Sequence, residues 1–198
     1  MRLLELFCGT KSVSKAIGNQ FTEVISVDMN EKANPTIVSD ILKWDYKIYP
    51  PGYFHTIWAS PPCTEYSCLN YSNPDKIPNL ELADNIVKKT IEILIYYNPE
   101  RFFIENPQTG TLKNREFMLG IPFVDIDYCR YGYNYRKRTR FWTLENKMNV
   151  LCQGSGKCNG MIEKRHKRSV GNSTFYKTVS SLNERYSIPS ECIKYLFE

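Results

Sequence analysis

A cysteine follows two prolines in the stretch SPPCTEYS (60–67), directly beyond the apolar run FHTIWA. A thiol is readily made nucleophilic near neutral pH, and paired prolines stiffen the backbone that presents it. Further on, RFFIENP (101–107) sets Glu105 and Asn106 at the end of a second apolar run. A carboxyl there can hold or give a proton beside the thiol. Near the start, LELFCGTKS carries Gly9 after an apolar run, and Asp28 lies about 20 residues on, the separation at which an acid can hold a ribose hydroxyl pair. FCGTKSVS has a single glycine where phosphate-binding loops have three, which favours a nucleoside over a dinucleotide. Taken singly, Cys63 reads as a buried free cysteine and Asp28 as an ordinary strand-end acid. Together the thiol, the carboxylates and the glycine turn read as nucleophilic chemistry beside a bound nucleoside.

Those residues need elements that bring them together. Residues 2–7, 23–28, the run TIVSD, FHTIWA, 101–105, 123–129 and 140–144 have the apolar, β-branched and aromatic character of strands. A helix is expected from about Ser12 to Gln20 with Ser12 as its N-cap. A longer one begins near Asn79, where Leu80, Ala83, Val87, Ile91, Leu94 and Ile95 recur at helical spacing until Asn98-Pro99. Alternating strands and helices predict an α/β fold, a mostly parallel seven-stranded sheet with helices on both faces. Ligands of such sheets bind beyond the carboxyl ends of the strands. The first strand delivers Phe7, Cys8, Gly9 and Thr10 to that edge, the second Asp28, the third Asp40, the fourth Pro62 and Cys63, and the fifth Glu105 and Asn106.

With 198 residues the chain suits one compact domain with a small appendage, and 14% aromatic residues supply ample core. Twenty-six Lys and Arg against 21 Asp and Glu leave a formal charge of +5, compatible with a polyanionic partner. The cysteines are seven, an odd count, and the opening MRLLELFCGTKS is too short an apolar run, broken by Glu5, for a signal peptide. A reducing compartment fits better than a disulfide framework. No stretch approaches the ~20 apolar residues of a membrane span. The expectation is a soluble, intracellular monomer.

LELFCGTKS, SPPCTEYS, FIENP and the Arg-rich YGYNYRKRTRFW stand in the order of the signature motifs of the C5-cytosine methyltransferases, and over roughly residues 1–143 the chain resembles that family. The resemblance implies a Rossmann-like fold using S-adenosylmethionine, with Phe7 against the adenine, Asp28 at the ribose, Asp40 with Ile41 at the adenine edge, and Cys8, Gly9, Thr10, Met29 and Pro62 also at the cofactor. It implies that Cys63 adds to C6 of a cytosine in DNA, that Glu105 stabilises the charge reaching N3, and that Ser60 and Asn106 border the base. Arg138 and Arg140 would hold the base carbonyl and phosphate, with Arg136 in the family's glutamine position; in the other register Arg136 and Arg138 are the motif arginines and Asn134 takes that position. The chain departs from the pattern at Pro107, where the family has valine, and at Lys11 and Ser12, where it favours glycine. Two other readings accompany this one. The same chemistry on RNA is one, and a catalytically silent nucleic-acid-binding subunit is the other; intact Cys63 and Glu105 speak against the second. The small size and the Lys-, Tyr- and Asn-rich character suggest a viral or phage source.

The family carries a sizeable target-recognition region after the arginine motif; here about fifty residues follow Trp142. Residues 144–180 are expected to be a reduced recognition segment, and 181–198 a helix packing back on the catalytic domain. VGNST (170–174) and the following LNERYSIPSECIKYLF resemble the closing motifs in reversed order. Lys164, Arg165, Lys167 and Arg168, with Tyr176 nearby, are candidate phosphate contacts. Cys152, Cys158 and His166 have five and then seven intervening residues, looser than the close pairs of zinc sites. Ordinary free thiols in a basic loop are expected there, with a zinc site completed by Cys129 as the alternative.

Overall fold

The computed structural model describes residues 1–68, 70, 75, 77–170, 177–179 and 181–198. Most of VGNST and Tyr176 lie outside the described residues. The strands β1 (Arg2–Leu6), β2 (Glu23–Asp28), β3 (Ile37–Val38), β4 (Thr56–Ala59), β5 (Arg101–Pro107), β6 (Phe123–Asp127) and β7 (Arg138–Trp142) form one seven-stranded sheet in the order β3-β2-β1-β4-β5-β7-β6. β7 runs antiparallel to its neighbours β5 and β6, and all other pairings are parallel. The strand order reverses between β1 and β4, so the connections diverge there and leave a crevice beyond the strand ends.

Period-two alternation divides the side chains between two cores. Leu4, Leu6, Val27, Ile57, Ala59 and Ile104 face the long helix α2 (Leu80–Tyr97), which buries Ala83, Val87, Ile93 and Leu94 against them. Asn79 caps α2 by accepting from Leu82 N, and Asn98 in a left-handed conformation ends it. Leu3, Trp58, Phe103, Val124, Ile126 and Phe141 face the opposite way, against Val13 and Ile17 of α1 (Ser12–Ile17). The chain end comes back to this second face. After α3 (Leu182–Tyr186), α4 (Ser190–Phe197) buries Cys192, Ile193 and Leu196 beside α1, and Phe197 packs on Trp58 and Phe103.

Three local details differ from the sequence reading. α1 stops at Ile17 and continues as a 3-10 turn over Gly18–Gln20. Its N-cap is Lys11, not Ser12, and the amides of the first turn are taken by Glu5, a buried strand carboxylate that accepts from Val13 N and Ser14 N. A strand side chain aimed along the helix axis satisfies orphan donors as a cap would. β7 begins at Arg138, two residues before the expected start, because its arginines pair across to β6. No described helix is long and apolar enough to cross a membrane.

Candidate active site

A cavity of about 340 Å³ opens beyond the carboxyl ends of β1, β2, β4 and β5. That volume suits a ligand of nucleoside size or somewhat larger. Its floor is the turn after β1. Phe7 N and Cys8 N both reach Val27 O, and the backbone then passes through left-handed conformations at Phe7, Gly9 and Lys11. Gly9 carries that conformation freely; Phe7, with a bulky side chain, stores strain there of the kind found at binding sites. The Asp28 carboxylate anchors the turn, accepting from Gly9 N at 2.9 Å and from Asn30 N at 2.8 Å. A carboxylate has lone pairs to spare beyond two such bonds. Thr10, Met29, Asp40 and the buried Ile41 complete this end, and burial followed by the charges of Glu5 and Asp28 pushes the Cys8 thiol up to about 11.

At the other end of the same cavity are Ser60, Pro62, Cys63, Glu105 and Asn106. Ser60 N bonds to Leu6 O, so the strand pairing extends to the very foot of the Pro-Pro-Cys turn. The turn is then fixed from β5: Asn106, almost wholly buried, donates from Nδ2 to Pro61 O at 2.9 Å. Prolines cannot donate, so their carbonyls are the handle by which this turn can be held. Glu105 is buried, and its Oε1 has no hydrogen-bond partner among the described residues. Unpaired buried carboxyl oxygens are costly, and at a cavity wall such an atom is left available to a ligand. Burial first, and then the negative charge of Glu105, pushes the Cys63 thiol above its ordinary value, with Lys137 opposing. The resting side chain is therefore the thiol, and its ionisation is tied to whatever happens at Glu105.

The structure places the arginines elsewhere than the sequence reading did. Arg138 is bidentate to the fully buried Asp127, at 3.1 and 2.9 Å, and Arg140 is bidentate to Asp125, at 2.8 Å on both bonds. Neither lines the cavity, and nor does the exposed Arg136. The alternation that turns Phe141 toward the second core sends Arg138 and Arg140 to the opposite face, onto acids in register on β6. Lys137 lines the cavity instead, its Nζ donating to Arg185 O at 2.8 Å. The sequence reading passed over Lys137 because both motif registers were anchored on arginines. It also missed Tyr186 and Ile188, which close the cavity from the C-terminal stretch; the signal was there, in a segment resembling the family's closing motifs.

Of the basic residues expected to meet phosphate, Lys164, Arg165 and Lys167 are exposed, on and beside the hairpin of β8 (Met161–Ile162) and β9 (Arg165–His166). Arg168, in β10 (Arg168–Ser169), is instead turned inward and is bidentate to Glu184, with Nη2 2.9 Å from Oε2. Next to the hairpin, Cys129, Cys152, Cys158 and His166 have converged: one potential ligand atom from each lies within 4.8 Å of the other three. The cysteines are free, as expected, but the fold brings them together with His166 despite their loose spacing.

No family model matches the sequence. A curated protein of Frog virus 3 (isolate Goorha), named probable DNA (cytosine-5)-methyltransferase, is 37% identical over 174 residues, 81% of this chain and 79% of that protein. Among solved structures, the fold is similar to DNMT2 of Spodoptera frugiperda, at 15% identity and a TM-score of 0.53, covering 77% of this chain and 55% of that one. It is also similar to the methyltransferase EhMeth of Entamoeba histolytica, at 16% identity and a TM-score of 0.56, covering 78% and 57%. The chain thus spans little more than half the length of these solved relatives.

Proposed function

The chain belongs to the DNA (cytosine-5)-methyltransferase family, and from that premise we propose that it transfers a methyl group from S-adenosylmethionine to C5 of cytosine in DNA through a covalent bond between Cys63 Sγ and C6. The observation that carries this reading is the continuity of one cavity from the Gly9 turn and Asp28 at one end to Cys63 and Glu105 at the other. Phe7 and Ile41 offer apolar surface for a purine, and Asp28 offers acceptors for ribose hydroxyls. Bound there, S-adenosylmethionine supplies an electrophilic methyl.

The residues at the Cys63 end account for the other half of the reaction. C5 of cytosine becomes a useful nucleophile only after addition at C6. Cys63 makes that bond as its thiol proton passes to solvent, and Glu105, in its protonated form, donates a hydrogen bond or proton to N3 as charge arrives there, through the buried oxygen that has no partner among the described residues. Once C5 is methylated, loss of the C5 proton to a solvent base expels Cys63 and restores the ring. Asn106 is a positioning residue that acts through Pro61. Lys137, which lines the cavity as Arg138 and Arg140 do not, is in this reading the cation that meets the base carbonyl or its phosphate. A cytosine in a duplex must first be flipped out, at a cost of a few kcal/mol.

Tritiated methyl incorporation tests the reading, with duplex DNA and RNA of matched sequence as parallel substrates and bisulfite sequencing to locate the product. Label on C5 of cytosine in DNA is expected. Label in RNA alone would move the activity to the other polymer, and label in neither would overturn it.

A further inference from the structure

The geometry points to a structural zinc site of Cys129, Cys152, Cys158 and His166, which fastens the segment after Trp142 to the catalytic sheet. None of these four residues lines the cavity around Cys63, and they take no part in the chemistry derived for it.

Tetrahedral zinc with Zn–S of about 2.3 Å and Zn–N of about 2.0–2.1 Å sets S···N separations of about 3.6 Å. Cys152 Sγ and Cys158 Sγ lie 3.6 and 3.5 Å from His166 Nε2. Those separations match the edges of such a tetrahedron, and Cys129 supplies the remaining corner within 4.8 Å. Three soft sulfurs and an imidazole are a donor set that selects zinc over oxygen-seeking cations. Cys129 and Cys158 are buried, and four protein ligands leave no corner for water, as in structural rather than catalytic sites.

Cys129, Cys152 and His166 are brought together by contacts from separate parts of the chain. Cys129 sits in the turn that follows β6, at the same sheet edge as the cavity. The returning chain lies along β6, with Asp127 N bonded to Val150 O and Val150 N to Asp125 O, so that Cys152 arrives beside Cys129. Asp127 Oδ2 then accepts from Cys152 N at 2.8 Å while its carboxylate holds Arg138, which fixes the backbone at Cys152. His166 is delivered by the β8–β9 hairpin, and the hairpin can close in because residue 160 is glycine. A Cβ there would lie 2.9 Å from Tyr133 O and 3.5 Å from Cys129 Cβ. With three thiolates the zinc centre carries one net negative charge, and Arg130, Lys157 and Lys167 line the shallow cavity beside it. These short strands bury little apolar surface, and a metal replaces the core that so small a segment lacks. Fixing the hairpin also holds Lys164 and Arg165 at the edge from which DNA would approach.

The test is metal analysis of the intact protein, purified without chelator from cells supplied with zinc, alongside Cys152→Ser/Cys158→Ser and His166→Cys. We expect about one zinc per chain in the wild type and in His166→Cys, which keeps four ligands, and less than about a tenth of that in the double serine variant. Should the double variant fail to fold, cobalt substitution of the wild type decides: intense thiolate-to-cobalt absorption with tetrahedral visible bands is expected. Stripping zinc with a chelator should open Lys157 and Lys164 to trypsin while residues 1–142 stay resistant. A wild type with no bound zinc, a disulfide among the three cysteines, or full zinc retained by the double serine variant would each overturn the assignment.

Discussion

The sheet edge around Cys63 and the stretch 151–170 hold their important side chains by opposite means. At the edge, each side chain comes at or just past the end of a strand: Gly9 after β1, Asp28 at the end of β2, Cys63 after β4, Glu105 near the end of β5. Position follows from the apolar run that precedes it. In the later segment the described strands are two residues long, and position comes from partners far away in sequence. Cys152 is set by Asp127, Arg168 by Glu184, and His166 by a hairpin seated on Gly160. The comparison teaches that the first region is stabilised by the cores it grows from, and the second by ion pairs and converging ligands.

Breaking the two regions should therefore have different signatures. At the edge the largest effect falls on rate. Glu105→Gln should cut kcat by about 10²-fold or more, the range of a lost general acid, with affinity for S-adenosylmethionine unchanged. Steady-state methylation and calorimetry check both halves. At Asp127, the β6 carboxylate that anchors Cys152 of the later region, the largest effect falls on stability. Arg138→Ala leaves the buried Asp127 carboxylate without its bidentate partner and should cost about 3 kcal/mol in denaturant unfolding. Activity per folded molecule should hardly change. A kcat loss for Arg138→Ala at unchanged stability would return the arginine to the catalytic role that its motif suggested.

The comparison sharpens with pH. Because burial is the larger cause of the raised Cys63 value and Glu105 the smaller, Glu105→Gln should lower that value without restoring the ordinary one. At fixed pH near neutrality the variant's Cys63 should then react severalfold faster with iodoacetamide, read by peptide mass spectrometry. Lys137→Ala removes the opposing charge, so its Cys63 should react more slowly. Equal rates in all three proteins would mean that neither charge reaches the thiol.

How much of this was legible follows the same division. The seven strands, the long helix and the whole set from Phe7 to Asn106 could be read because apolar runs and the residues ending them are local features. Lys137 could not, since choosing it over Arg138 requires knowing which face β7 turns to the cavity. Asp125 and Asp127 looked like ordinary strand acids until their register opposite Arg140 and Arg138 was known. Glu5 as the cap of α1, Glu184 as the partner of Arg168, and the meeting of Cys129 with His166 are long-range facts that spacing does not encode.

The smallest expected effect concerns DNA affinity. Lys164, Arg165 and Lys167 contact phosphate in this account, and Arg168 does not. Replacing the first three by Ala should weaken binding about equally across sequences and flatten the log K against log salt slope by about 2 to 3. Adding Arg168→Ala should change the slope no further. A slope unchanged by the triple replacement would shift the DNA surface toward the exposed Arg136.

The central claim, that Cys63 is the nucleophile of a cavity that also binds the methyl donor, is tested most directly with duplex DNA carrying 5-fluorocytosine. Fluorine cannot leave C5 as a proton, so the methylated intermediate is trapped on the enzyme. In the presence of S-adenosylmethionine the wild type should form a denaturation-resistant adduct whose mass places the nucleotide on the Cys63 peptide. Cys63→Ala should form none while binding S-adenosylmethionine as tightly as before. An adduct on the Cys63→Ala protein, or on any other cysteine of the wild type, would contradict the account.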